Sequence, residues 1–429
     1  MSAQAWLAVA VFAAAYALIA TEKVHRVAAA LGGAVVMVLI GATDAEHAFF
    51  EEETAIDWHV IFLLLGMMLI VAVLKRTGVF EYLAIWAAKR ARGRPFPVMV
   101  LLVLVTAVAS ALLDNVTTVL LVAPVTFLIC ERLRVPVAPF LIAEVLASNI
   151  GGTATLVGDP PNIIIARRAG LSFNDFLIHL APLVLLLLIV YIGVCRWLFR
   201  HAFRYDPERA AEVMQLNERD AIEDGRLLAI SGVVLALVLA GFLLQTVLGT
   251  DPAIVAIIGG LVLLAASRLK AESVARDVEW PTLVFFAGLF VMVGGLVNTG
   301  VIDTVASRAA DAVEGRLGLA TFVLLWGSAA LSAIVDNIPY VATMSPVVAE
   351  LVAAEGVERG QVLWWSLALG ADLGGNATAV GASANVVVLG MAERAGRRIS
   401  FWEFTRYGLV VTVITIVLAM PYLWLRYLA

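Results

Sequence analysis

Cysteine is scarce: Cys130 and Cys195 are the only two in 429 residues. That excludes a disulfide framework and a thiolate metal cluster, and leaves core packing as their role. The five histidines are scattered without ligand spacing. No Walker-type phosphate loop is present, so ATP-driven pumping by this chain alone is not expected. His-Glu-x-x-His and Gly-x-Ser-x-Gly are missing too, as is any convincing Ser/His or Asp/Asp pair on one turn, and an enzyme is not expected. Charge is also thin, with 15% Asp, Glu, Lys and Arg against 62% hydrophobic residues. Soluble proteins sit nearer a quarter charged and half apolar. The first apolar span lacks a basic leader and a small-residue cleavage site, so no cleavable signal peptide is expected.

Long apolar runs are what the chain has in abundance, and they read as a polytopic all-α membrane protein. Full crossings are expected near 3–20, 27–41, 59–74, 138–166, 177–199, 227–248, 252–267, 281–297, 361–392 and 407–425. Two further segments, 96–130 and 317–349, are each split at the middle by Asp-Asn. An arm of such a segment is too short for a comfortable crossing at 1.5 Å per residue, so each is read as a re-entrant hairpin. Amphipathic stretches at 79–94 and 301–316 are placed in the interface.

With the N-terminus outside, the inner segments carry 23 of the 29 basic residues, and Thr43–Asp57 carries none. The positive-inside rule then puts both termini outside a cell (plasma or inner) membrane. The expected divisions are residues 1–57 (opening spans and an acidic outer loop), 58–200 (first transport repeat), 201–226 (cytoplasmic linker), 227–279 (spans opening the second half) and 280–429 (second repeat).

The repeat is explicit. Trp58, Gly66, Thr77, Gly78, Ser110, Asp114, Asn115 and Pro124 return 222 residues later as Trp280, Gly288, Thr299, Gly300, Ser332, Asp336, Asn337 and Pro346. After one inserted residue, Gly151, Gly152, Thr155, Gly158 and Asn162 match Gly374, Gly375, Thr378, Gly381 and Asn385. An odd number of crossings separates the copies, so the two repeats have inverted topology, the architecture of many secondary transporters.

Two duplicated motifs could carry chemistry. The first is the Asp-Asn pair. An acid at membrane depth costs about 2.5 kcal/mol on insertion scales, and serine or threonine could cap a helix without that cost. Two such acids favour ion handling, with protonation and cation binding as competing states. The second motif runs Asn149–Asn162 and Asp372–Asn385, rich in glycine and small polar residues inside an apolar span. It should unwind at mid-membrane and free carbonyls and amides for a ligand, although close helix packing also uses small residues. The candidate substrate- and ion-binding set is Asp114, Asn115, Thr117, Asn149, Gly151, Gly152, Thr153, Asp159, Asn162, Asp336, Asn337, Asp372, Gly374, Gly375, Asn376 and Asn385. Na+ sites are expected at Asp114, Asn115, Asn149, Asp336, Asn337 and Asp372. Glu144 is a further buried acid. Asp159 has Ala382 as its counterpart and Asp372 answers Asn149, so the half-sites differ.

At these residues the chain resembles the ion transporter superfamily. ALLDNVTTVLLVAP, ASNIGGTATLVGDPPNIII and LGGNATAVGASANVV are similar to the branch joining arsenite-efflux permeases, Nha-type sodium/proton antiporters and P protein-type permeases. In the related divalent-anion symporters, Ser-Asn-Thr hairpin tips and unwound loops form two sodium sites and hold a dicarboxylate. By position those tips fall on Asp114-Asn115-Val116 and Asp336-Asn337-Ile338. The resemblance implies a scaffold and a transport unit, elevator-like movement and a homodimer. An acid where the symporters carry serine makes a doubly negative cargo awkward, because like charges a few ångströms apart repel strongly in a low dielectric. The expected function is therefore a secondary transporter coupled to H+ or Na+, moving a small inorganic ion or metalloid of the arsenite/antimonite type. Na+/H+ antiport, Na+-coupled carboxylate transport and a channel are the alternatives. No cofactor and no nucleic-acid partner are expected beyond membrane lipid and the transported solute.

Overall fold

The computed structural model describes residues 1–21, 24–51, 54–313 and 315–429. The parts of the loop and interface expectations that fall on Glu22, Lys23, Glu52, Glu53 and Glu314 lie outside the described residues. The described chain is all helical, and seven of its helices are long and apolar enough to cross a membrane unaided. The first half contains α1 (Ala3–Ala20), α2 (Arg26–Leu39), α3 (Trp58–Lys75), α4 (Val79–Arg90), α5 (Pro95–Leu112), α6 (Asn115–Leu133), α7 (Ala138–Gly152), α8 (Pro160–Ala169) and α9 (Ala181–Leu198). After a short linker helix, α10 (Pro207–Met214), come α11 (Gly225–Leu243), α12 (Pro252–Ser267), α13 (Trp280–Asn298), α14 (Val301–Val313), α15 (Leu317–Ser332), α16 (Asn337–Glu355), α17 (Val357–Gly374), α18 (Ser383–Arg394) and α19 (Phe401–Leu423).

Element by element, α11 to α19 repeat α1 to α9. The two expected hairpins correspond to α5–α6 and α15–α16, each bent at its Asp-Asn pair, but α5 and α6 are 18 and 19 residues long and each is among the seven helices able to cross unaided, so arm length does not by itself make them re-entrant. The two expected broken helices are α7–α8 and α17–α18, separated by short irregular segments. Boundaries differ where apolarity fades before helicity does. α17 starts four residues before the expected 361, and α19 six residues before the expected 407, because polar turns at Val357–Gly360 and Phe401–Arg406 propagate as helix without being apolar.

The halves interlock. α3 packs on α12, and α13 packs on α2, so each repeat leans on the opening helices of the other. At the first of these crossings Gly66 lets the helices touch, since a Cβ there would lie 2.4 Å from the Ala256 carbonyl carbon. Within each half the first hairpin arm packs on the broken helix, α5 on α7 and α15 on α17. Across the halves, α6 meets α18 and α16 meets α8. Both hairpin tips therefore end beside both breaks.

The linker is docked onto the first half. α10 packs on α6, Glu223 donates its amide to the Thr77 carbonyl at 3.1 Å, and Lys89 pairs with Glu218. The Lys89 ammonium holds the Glu218 carboxyl below the usual carboxylate range.

Candidate functional site

Each hairpin tip is fixed by its own acid. Asp114 accepts the Thr117 amide at 2.7 Å and Asp336 the Ile338 amide at 3.1 Å, so both act as helix N-caps. Asp336 keeps its second oxygen for the Ser383 hydroxyl, 2.5 Å away. Thr117 serves here through its backbone.

The breaks are held by hydrogen bonds that repeat as the sequence does. Ser110 donates to the Ser148 carbonyl and Ser332 to the Ala371 carbonyl, at 2.8 and 2.6 Å. Thr155 and Thr378 reach the carbonyls of Ala111 and Ala333. Asn162 gives its amide hydrogens to the Gly152 and Thr155 carbonyls, as Asn385 does to those of Gly375 and Thr378. Asn162 and Asn385 thus take carbonyls that the breaks free, and the serines and threonines tie hairpin arm to broken helix, as a dry interior requires. Gly151 and Gly374 allow the hairpin arm to approach, and Gly152 and Gly375 allow each break to fold back against Gly158 and Gly381.

The two half-sites meet on buried amides and one carboxylate. Asp159 accepts from Asn115 at 3.0 Å and from Asn337 at 3.3 Å, joining the tips of both hairpins. Asn115 also donates to Asn149 at 3.2 Å. Asn149 in turn donates to Asn376 at 2.9 Å and Asn385 at 3.1 Å, across the pseudo-axis. Asp114, Asp336 and Asp372 all lie within electrostatic reach of Asp159. Asp372 and Thr153 complete the buried set. Glu144 stays outside this cluster, bonded to Thr126 at 2.6 Å between α6 and α7. Among the described residues no group of three or more His, Cys, Asp and Glu side chains gathers to hold a metal.

Five residues that the sequence did not single out line the mouth of the site. A cavity of about 540 Å³ is bounded by Arg26, Glu279, Thr282, Phe285, Asp336 and Ser383 among others, a volume suited to a small ligand. Arg26 donates to Ser383 at 2.8 Å and to Thr282 at 3.1 Å, and its guanidinium lies 5.5 Å from the Phe285 ring centre. Thr282 donates onward to Glu279 at 3.1 Å. A hydrogen-bonded chain thus runs from α13 through α2 to α18 and the second tip. Ser383 was findable, since it sits two residues before Asn385 in the duplicated motif. Arg26 reads in sequence only as an inner-loop charge. A second pocket of about 220 Å³, lined by Asp57, Arg167, Phe290, Gly294 and Ser345, lies toward the other end of α13.

Comparison with known proteins agrees with this architecture. Residues 16–370 match the family model described as citrate transporter. A 46 kDa membrane protein of Mycobacterium leprae is 58% identical over 98% of this chain and 99% of its own length. An uncharacterized transporter of Mycobacterium tuberculosis is 57% identical over 98% of each chain. The human P protein is 34% identical over 98% of this chain and 60% of its own length. Among solved structures, the YdaH transporter of Alcanivorax borkumensis, whose topology is described as unusual, superposes with a TM-score of 0.60. It is 16% identical, over 91% of this chain and 88% of its own.

Proposed function

Because this chain belongs to the citrate transporter family of membrane transporters, we propose that it is a cation-coupled secondary transporter, driven by H+ or Na+. Its hairpins and broken helices carry the solute against a scaffold that includes α1–α3 and α11–α13, and no catalytic step is involved. On the distribution of basic residues, the cavity faces the cytoplasm of a cell membrane and both termini lie outside. Each repeat, residues 58–200 and 280–429, then supplies one scaffold helix, α3 or α13, ahead of its hairpin and broken helix, and assembly as a homodimer belongs to the same reading.

The cargo we propose is a small carboxylate of the citrate type, and the observation that carries this is Arg26. The electrostatic objection to such an anion came from the acidic tips alone. Asp114 and Asp336 spend part of their charge on helix N-termini, where it is favourable. Arg26, 310 residues from Asp336 in sequence, faces the same cavity and supplies a fork for a carboxylate. A second reading, a neutral metalloid such as arsenite or exchange of Na+ for H+, draws on Glu279 and Asp336, two acids sharing the cavity with that one arginine.

Proteoliposomes with imposed Na+ and proton gradients test the choice. Labelled citrate should accumulate uphill under one gradient, and Arg26→Ala should cut that uptake about tenfold or more, the scale of one lost charged hydrogen bond. Arsenite accumulation indifferent to Arg26→Ala would select the second reading. Flux that only ever runs downhill would make the protein a channel.

A further inference from the structure

The pseudo-symmetry of the buried centre fails at one contact. In one direction Asn149 donates amide hydrogens to Asn376 and Asn385. Its counterpart is Asp372, and the counterparts of Asn376 and Asn385 are Thr153 and Asn162, which do lie beside it. There, the neighbouring donors are spent on backbone carbonyls. Both carboxylate oxygens of Asp372 and the amide oxygen of Asn162 have no hydrogen-bond partner, and all three residues are 0% exposed. Neither neighbour can turn to help. Asn162 has committed its hydrogens to the Gly152 and Thr155 carbonyls, and the Thr153 hydroxyl gives its own to the Asn149 carbonyl at 2.9 Å. A buried carboxylate with no hydrogen-bond partner at either oxygen is strongly unfavourable unless a positive charge joins it.

We propose that Asp372, Asn162 and Thr153 form a binding site for a dehydrated Na+ ion between the two broken helices, containing no residue of either hairpin tip. Three unpartnered oxygens and the lone pairs of Thr153 make a hard-donor set. A proton on Asp372 would satisfy two of these oxygens, its own and that of Asn162, whereas a metal ion draws on all three and on Thr153 as well. A single carboxylate balances a single charge, and Mg2+ would surrender its water reluctantly in so dry a place. Two helix C-termini point the same way: Asp372 lies in the last turn of α17 and Thr153 ends α7, and helix C-termini attract cations. Asp159, close enough to feel Asp372, adds negative potential. The site deepens the transporter reading above by placing the coupling ion, so opening the gap between α7–α8 and α17–α18 would release it.

The test is thermal unfolding of the purified protein at fixed pH, in NaCl against choline chloride of equal ionic strength. The melting temperature should rise saturably with Na+. Asp372→Asn should melt no lower than the parent in choline, because its amide can donate to Asn162 as Asn149 does to Asn385, and should lose the Na+ response. Thr153→Val, which removes one neutral ligand, should raise the half-saturating Na+ concentration about tenfold, as the loss of ~1.4 kcal/mol of binding would. A Na+ response that survives intact in both variants, or one equalled by choline, overturns the site. Protection by low pH with no response to Na+ overturns it as well, in favour of a proton. If Na+ binds as expected while vesicles show only downhill flux, the transporter reading falls and the ion site stands.

Discussion

The acid at each hairpin tip does two jobs whose separation can be measured. Its backbone job is an N-cap, which an asparagine side-chain oxygen performs nearly as well as a carboxylate. The rest of its charge is available for other use, at Asp336 toward Ser383, the hydroxyl that Arg26 also reaches. Asp114→Asn and Asp336→Asn should therefore stay within about 1 kcal/mol of the parent in thermal unfolding while coupled uptake collapses. Normal uphill uptake in both variants would remove the tips from the transport cycle. Asp159 shows what the repeat conceals: it stands where the second half has Ala382, yet both tips converge on it. Its uniqueness was readable in the alignment of the two motifs, but its partners were not.

Among the elements, the broken helix and the arm that packs on it act as one unit, since their backbones touch with no side chain between. A Cβ at Gly151 would lie 2.3 Å from the Ala107 carbonyl oxygen, and one at Gly374 would lie 2.5 Å from the Ala329 Cα. Gly151→Ala should thus cost about 1–3 kcal/mol, the usual range for overpacking a tight contact. Gly390→Ala on α18 should be neutral or slightly stabilising, because no atom lies within 4 Å of its added carbon. Melting temperatures of the two variants side by side check this, and equal behaviour would mean that arm and helix are not in firm contact. The helices themselves were legible to within a few residues, because apolar length and the Asp-Asn and glycine interruptions fix where a backbone can continue in lipid. The ends of α17 and α19 were not, since helix propensity outruns hydrophobicity there.

For the molecule as a whole, Arg26 is the contact that joins α2 to the moving parts on the cavity side. If hairpins and broken helices shift against the scaffold, Arg26 must release Ser383 during each cycle. Arg26→Cys combined with Ser383→Cys, bridged by a short reducible bis-thiol reagent, should stop uptake, and reduction should restore it. Cys130 and Cys195 are buried, so background reaction is low. Uptake at the normal rate through a bridged protein would show that the two sides do not part.

What the sequence determined by itself is the membrane, the duplication, the inverted order of the repeats and the residues of the two motifs. Lipid enforces those: apolar length, backbone satisfaction and charge cost leave few alternatives, and a second copy of each signal removes accidents. Tertiary structure alone decided which side chains face one another. Arg26 reaches Ser383 across 357 residues of chain, and Asp372 comes to rest beside Asn162 with neither carboxylate oxygen partnered. Such encounters depend on how two halves interlock, and no local pattern encodes them, because the cost or gain of a charge depends on the partner that packing brings to it.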